Sequence, residues 1–169
     1  MRNSQTCLIY QIGALKGFLD AEGMALSHIK PHGSLYSMAA RQLPIAHAIC
    51  DAADVFPVPL LGMTGTLHET IYPERGHRFV AEFYADLDYA DDGSLIVTRE
   101  HPPVHAANAV ARCMRAVREG LVTSIGDQDV ALGSDSICLH SDTPRIVECA
   151  RMLREALDAE SRPEPAGTG

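Results

Sequence analysis

Apolar residues recur along the chain in two rhythms. Leu8, Ile9, Ile12, Leu15 and Leu19 follow helical spacing and predict a helix over about 4–22, stopped by Gly23. "ALSHIK" at about 25–30 predicts a short strand, and a helix follows over about 37–54, ahead of Pro57. "VPLLG" predicts a second strand, about 64–75 a shorter helix, and "RFVAEFYAD" at about 78–86 a third strand. "DDGS" marks a turn before "LIVT". Pro102 and Pro103 open a helix that Gly120 ends, and "LVTSIGDQDVAL" reads as a hairpin around Gly126 and Asp127. "DSICLH" is a fourth core strand, after which Thr143 caps a helix from Pro144 to about Ala159.

Strands that alternate with helices predict an α/β protein with a parallel sheet, either a small open sheet or part of a barrel. The expected organisation is one domain over 1–159 and a disordered Pro/Gly-rich tail over 160–169. The chain has 169 residues, enough for a core. Its net charge of −8 and the lack of a basic run argue against nucleic-acid partners. No apolar run reaches the ~18 residues of a membrane span, and the N-terminus lacks a signal-peptide pattern, so a cytoplasmic setting is expected. The five scattered cysteines form no CxxC and read as reduced, mostly buried thiols.

Side chains alternate across a strand, so strand phase sorts the polar residues. His28, Lys30 and His32 share a phase, as do Glu82, Tyr84 and Asp86, and then Ser136, Cys138, His140 and Asp142. In each strand one face is apolar and the other turns polar toward the C-terminal end. Sites of parallel α/β proteins gather at that end. Lys30, His32, Glu82, Asp86, His140 and Asp142 are therefore the candidate catalytic residues, with Tyr36 overhanging as a substrate contact. His28, deeper in its strand, reads as a core histidine. His47, His68, His77, His101 and His105 read as surface residues. A lysine, two histidines and carboxylates suit anion binding, proton transfer or metal ligation. There is no HExxH, P-loop or GxSxG pattern, and no metal ligand set is assigned.

"YQIGALKGF", "IKPHGSLYSMAA", "AEFYADLDYADDGSLIVTRE" and "SICLHSDTPRIVECARMLREAL" together resemble the LamB/YcsF lactam-utilisation family, from about Leu8 to Leu157. The resemblance implies a partial TIM-like (β/α) barrel of the glycoside hydrolase/deacetylase type, here with about four parallel strands and crossover helices. It also implies ATP-dependent cleavage of 5-oxoproline to glutamate by a 5-oxoprolinase A-type chain, with ATP and Mg as co-substrate and B- and C-type subunits as partners. In that chemistry phosphorylation activates the lactam carbonyl oxygen. Lys30 would face phosphate charge, while His32 or a carboxylate handles protons. KPHGSLY places Lys30, His32 and Tyr36 at family positions, AEFYAD places Glu82 and Asp86, and CLHSDTP places His140 and Asp142.

This chain has Leu87 where many relatives carry arginine, and Ser141 where many carry glycine, which admits another lactam or cyclic amide as substrate. Family members also begin with strands and histidine-bearing loops that precede the segment matched here. The expectation is therefore a companion chain carrying that part, or a homodimer. A catalytically inactive fragment, a binding protein, and a metal-dependent hydrolase remain as alternatives.

Overall fold

Helix α1 (Arg2–Ala21) forms where the apolar spacing predicts it, and Gly23 beyond it takes the left-handed φ of +67°. The computed structural model describes residues 2–98 and 104–161. Its backbone divides into two units, Met1–Glu82 and Phe83–Gly169.

In the first unit, the expected helix over 37–54 is two helices, α2 (Gly33–Ala39) and α3 (Leu43–Ala53). Pro44 is the reason. It lacks an N–H and is favoured in the first turn of a helix, so it starts α3 instead of continuing α2. Strand β1 (Leu60–Gly62), helix α4 (Leu67–Glu74) and strand β2 (Phe79–Tyr84) complete the unit, with β2 running into the second. β1 and β2 are parallel, in the register Leu60 to Phe79 and Gly62 to Ala81. Leu8 of α1, Ile49 and Cys50 of α3, Leu60, Ile71 and Tyr72 share one core.

The strand expected over 25–30 is reduced to a single bridge, in which the Ile29 N–H donates to the Pro59 carbonyl and the Leu61 N–H to the Ile29 carbonyl. Prolines explain this. Pro31 on one side, and Pro57 and Pro59 on the other, have no N–H to extend a ladder. His28, expected in the core, is consequently exposed and bonded to the neighbouring Ser27 hydroxyl.

In the second unit, β3 (Asp88–Tyr89) and β4 (Leu95–Ile96) form a hairpin across the predicted turn, where Gly93 has a φ of +81°. Helix α5 (Ala106–Glu119) ends at Gly120, and β5 (Leu121–Thr123) pairs antiparallel with β6 (Asp129–Ala131). β7 (Ser136–Cys138) neighbours β2, and the Ala85 N–H just beyond β2 donates to the Cys138 carbonyl at 3.2 Å. Helix α6 (Ile146–Glu160) packs Ile146 and Cys149 on Ala106 and Ala109 of α5.

Thr143 and Pro144 do not open α6 as expected. Arg145, with a φ of +64°, is the N-cap, and the Thr143 hydroxyl is directed to Asp86. The predicted start of α5 at Pro102 and Pro103, His101, and positions 162–169 of the expected tail lie outside the described residues. All five cysteines are free thiols; Cys50, Cys113 and Cys149 are buried, Cys138 is half-buried and Cys7 is exposed. No helix among the described residues is long and apolar enough to cross a membrane.

Candidate active site

The polar residues gather in two clusters, one around Glu82 and one around Asp86. In the first, Glu82 on β2 is almost dry, its side chain 2% exposed. A carboxylate taken out of water requires charge compensation and donors. It has both. The Lys30 ammonium donates to Oε1 at 2.6 Å and the Tyr36 hydroxyl to Oε2 at 2.8 Å. Each partner comes from the segment that "IKPHGSLY" encodes. Ile29 anchors the chain to β1, Lys30 follows it, and α2 carries Tyr36 to the carboxylate. The Lys30 ammonium also lies 5.8 Å from the centre of the Tyr36 ring, within cation–π reach. His32 does not join them. It is exposed at the N-cap position of α2 and its side chain makes no capping bond.

The second cluster is built on Asp86, two residues beyond β2, whose side chain is fully buried. The His140 N–H donates to Oδ2 at 2.8 Å and the Thr143 hydroxyl to Oδ2 at 2.9 Å, while His140 Nδ1 lies 3.0 Å from Oδ1. A carboxylate on Nδ1 fixes the tautomer: Nδ1 carries the proton and Nε2 the lone pair. The Tyr84 ring stacks on the imidazole with centroids 6.2 Å apart. The His140 side chain is about one-third exposed (34%), so it combines a buried anchor with access to water. Asp142 is exposed on the turn that leads to Thr143.

The structure adds two residues that strand phase does not reveal. Thr143 supports Asp86, a role masked in sequence by its resemblance to a helix cap. His68, expected at the surface, is wholly buried. It lies at the start of α4, where Thr66 caps the helix by accepting from the His68 N–H at 3.2 Å. Its Nδ1 accepts from the Met63 N–H at 3.2 Å. Burial lowers its pKa to about 4, partly offset by the Tyr36 backbone, so the ring is neutral near pH 7. His77, also expected at the surface, is largely buried, with Nε2 3.1 Å from Asp54 Oδ1.

In the first cluster the Lys30 ammonium is paired with the Glu82 carboxylate. Among the described residues, no group of three or more His, Cys, Asp and Glu side chains is placed to hold a metal ion. What the clusters can do is move protons and orient polar groups. Glu82 is an acceptor held between an ammonium and a phenol, and Asp86 with His140 is a carboxylate-oriented imidazole.

A sequence profile of the LamB/YcsF family matches residues 1–165. The chain is 40% identical over 154 residues to 5-oxoprolinase A-subunit 1 of Pseudomonas putida, covering 90% of this chain and 61% of that protein. It is 39% identical over 156 residues to the 5-oxoprolinase A-subunit of Thermus thermophilus, covering 89% and 62%. The crystal structure of the lactam utilization protein from Thermus thermophilus superposes with a TM-score of 0.84 at 35% identity, over 93% of this chain and 64% of that one. That likeness meets the expectation of an α/β chain of the TIM-like barrel type. The chain thus spans about three-fifths of the length of these relatives.

Proposed function

The chain belongs to the LamB/YcsF family, and from that premise we propose that it acts as the A-type component of a 5-oxoprolinase, opening 5-oxoproline to glutamate with coupled hydrolysis of ATP. The observation that carries the reading at residue level is the Asp86–His140 pair. A lactam is a stable amide. Opening it requires a proton to leave the attacking water and a proton to reach the departing ring nitrogen. Asp86 holds His140 in one tautomer, so that Nε2 takes the first proton and then supplies the second. Glu82, with Lys30 and Tyr36, forms a second proton-handling group that donates through the phenol or the ammonium. Coupling to ATP is proposed as a property of the assembled enzyme with B- and C-type subunits.

The test is to produce the chain in its native host, recover it with the subunits that accompany it, and measure glutamate formed from 5-oxoproline with and without ATP. The expected result is ATP-dependent glutamate release that falls at least a hundredfold in His140→Ala and more than tenfold in Asp86→Asn. Unchanged turnover in both variants removes the assigned roles. No turnover of 5-oxoproline by any recovered assembly removes the substrate assignment.

A further inference from the structure

His68 runs against the usual rule for a protein core. With Nδ1 accepting from the Met63 N–H, its proton is on Nε2, and among the described residues that buried atom makes no hydrogen bond of normal geometry. Tyr72, one helical turn on, stacks against it with centroids 5.1 Å apart, and its buried hydroxyl likewise has no hydrogen-bond partner among the described residues. A phenylalanine at residue 68 would fill the same space with no unsatisfied donor. Local rules of this kind are broken most often where function requires it.

The imidazole occupies a defined seat. A Cβ on Gly62 would lie 2.6 Å from the His68 Cβ and 2.9 Å from Nδ1, so β1 leaves room for this ring by carrying glycine. On its other contact the ring meets Tyr36, with centroids 4.7 Å apart and planes tilted by 56°. Tyr36 in turn reaches Glu82 Oε2. A chain of contacts therefore runs from the Met63 amide through His68 and Tyr36 to the carboxylate.

We propose that His68 is a positioning residue for Glu82: seated against Gly62 and tied to the Met63 amide, it fixes the Tyr36 ring so that the phenol stays on the carboxylate. Packing alone would accept the ring in either of two orientations related by a flip about its Cβ–Cγ bond. The Nδ1 bond selects one of them, which gives a reason for a histidine here. The catalytic consequence rests on the reading of Glu82 as part of the reacting site; the positional claim does not.

Two measurements separate these claims. The first follows exchange of the Tyr36 hydroxyl proton by NMR of the full chain labelled at tyrosine, with buried Tyr89 as an internal reference. His68→Ala is expected to speed exchange at Tyr36 at least tenfold and to leave Tyr89 unchanged. His68→Asn, which keeps an acceptor for the Met63 N–H, is expected to restore most of the protection. His68→Phe supplies the comparison if the alanine variant does not fold, with exchange again faster at Tyr36. Unchanged exchange at Tyr36, or an equal rise at both tyrosines, overturns the proposal.

The second is a double-mutant cycle in the assembled enzyme. His68→Ala is expected to lower kcat about tenfold with KM nearly constant, and to add nothing in a Tyr36→Phe background. Additive losses overturn the proposal. An assembly without turnover defeats the functional reading alone, since the exchange experiment decides the position of Tyr36 by itself.

Discussion

At the residue scale, the energetics of Glu82 follow from its burial. Removing its cation leaves a carboxylate stranded in a nearly dry setting, a change that costs far more than the pair itself contributes. Lys30→Met is expected to lower the unfolding free energy by about 3 kcal/mol. Glu82→Gln, which still accepts from Tyr36, should cost less. Urea denaturation of the full chain checks this, and equal midpoints for Lys30→Met and the parent would contradict it. His68 supplies a pH dependence. Its folded pKa of about 4 lies below the ordinary 6.5, so between those values the unfolded chain binds a proton that the folded chain refuses. Stability is therefore expected to fall as pH drops from 6.5 to 4, by on the order of 3 kcal/mol, and to level off below. His68→Asn should flatten that slope; a slope that persists would assign the acid sensitivity elsewhere. Strand phase picked out Glu82 and Asp86 because β2 alternates regularly. His68 was instead read as a surface residue of a helix or loop, because nothing in "TLHETIY" says which face of a short helix is buried.

At the scale of elements, the same substitution has opposite signs in two places. Gly120 ends α5 with a φ of +65°, where a side chain is strained, and Gly120→Ala is expected to cost about 1 kcal/mol. Gly17 is exposed in the body of α1 with open space around its Cα, and Gly17→Ala is expected to gain about 0.5–1 kcal/mol. Thermal unfolding should show shifts in opposite directions, and a shared direction would refute the assignment of either glycine. The helices α1, α4 and α5 were legible from periodicity and glycine stops. The division of 37–54 at Pro44, and the collapse of the 25–30 strand to one bridge, depend on where N–H groups are missing. A hydrophobic pattern does not register a missing donor.

At the scale of the whole molecule, α1 shows two apolar faces. Leu8 packs inward, with Ile9 and Ile12 partly buried beside it, while Tyr10, Leu15 and Phe18 are exposed, as is Met24 beyond the helix. An apolar group of this kind on one element favours association. The isolated chain is expected to self-associate with rising concentration, and Tyr10→Ser with Phe18→Ser to suppress it, as read by sedimentation velocity. A monomer at all concentrations would refute the expectation. By itself the sequence determined the alternation of strands and helices, the family, and the residue types of both clusters, since these depend on local periodicity and on strings of adjacent residues. Only the tertiary structure decided that Lys30 and Tyr36 converge on Glu82, that His140 and Thr143 converge on Asp86, and that His68 lies against Tyr36. Those pairings join residues from 32 to 57 positions apart, and burial, which converts a polar residue into a positioned one, is a property of the packed chain and not of any segment of it.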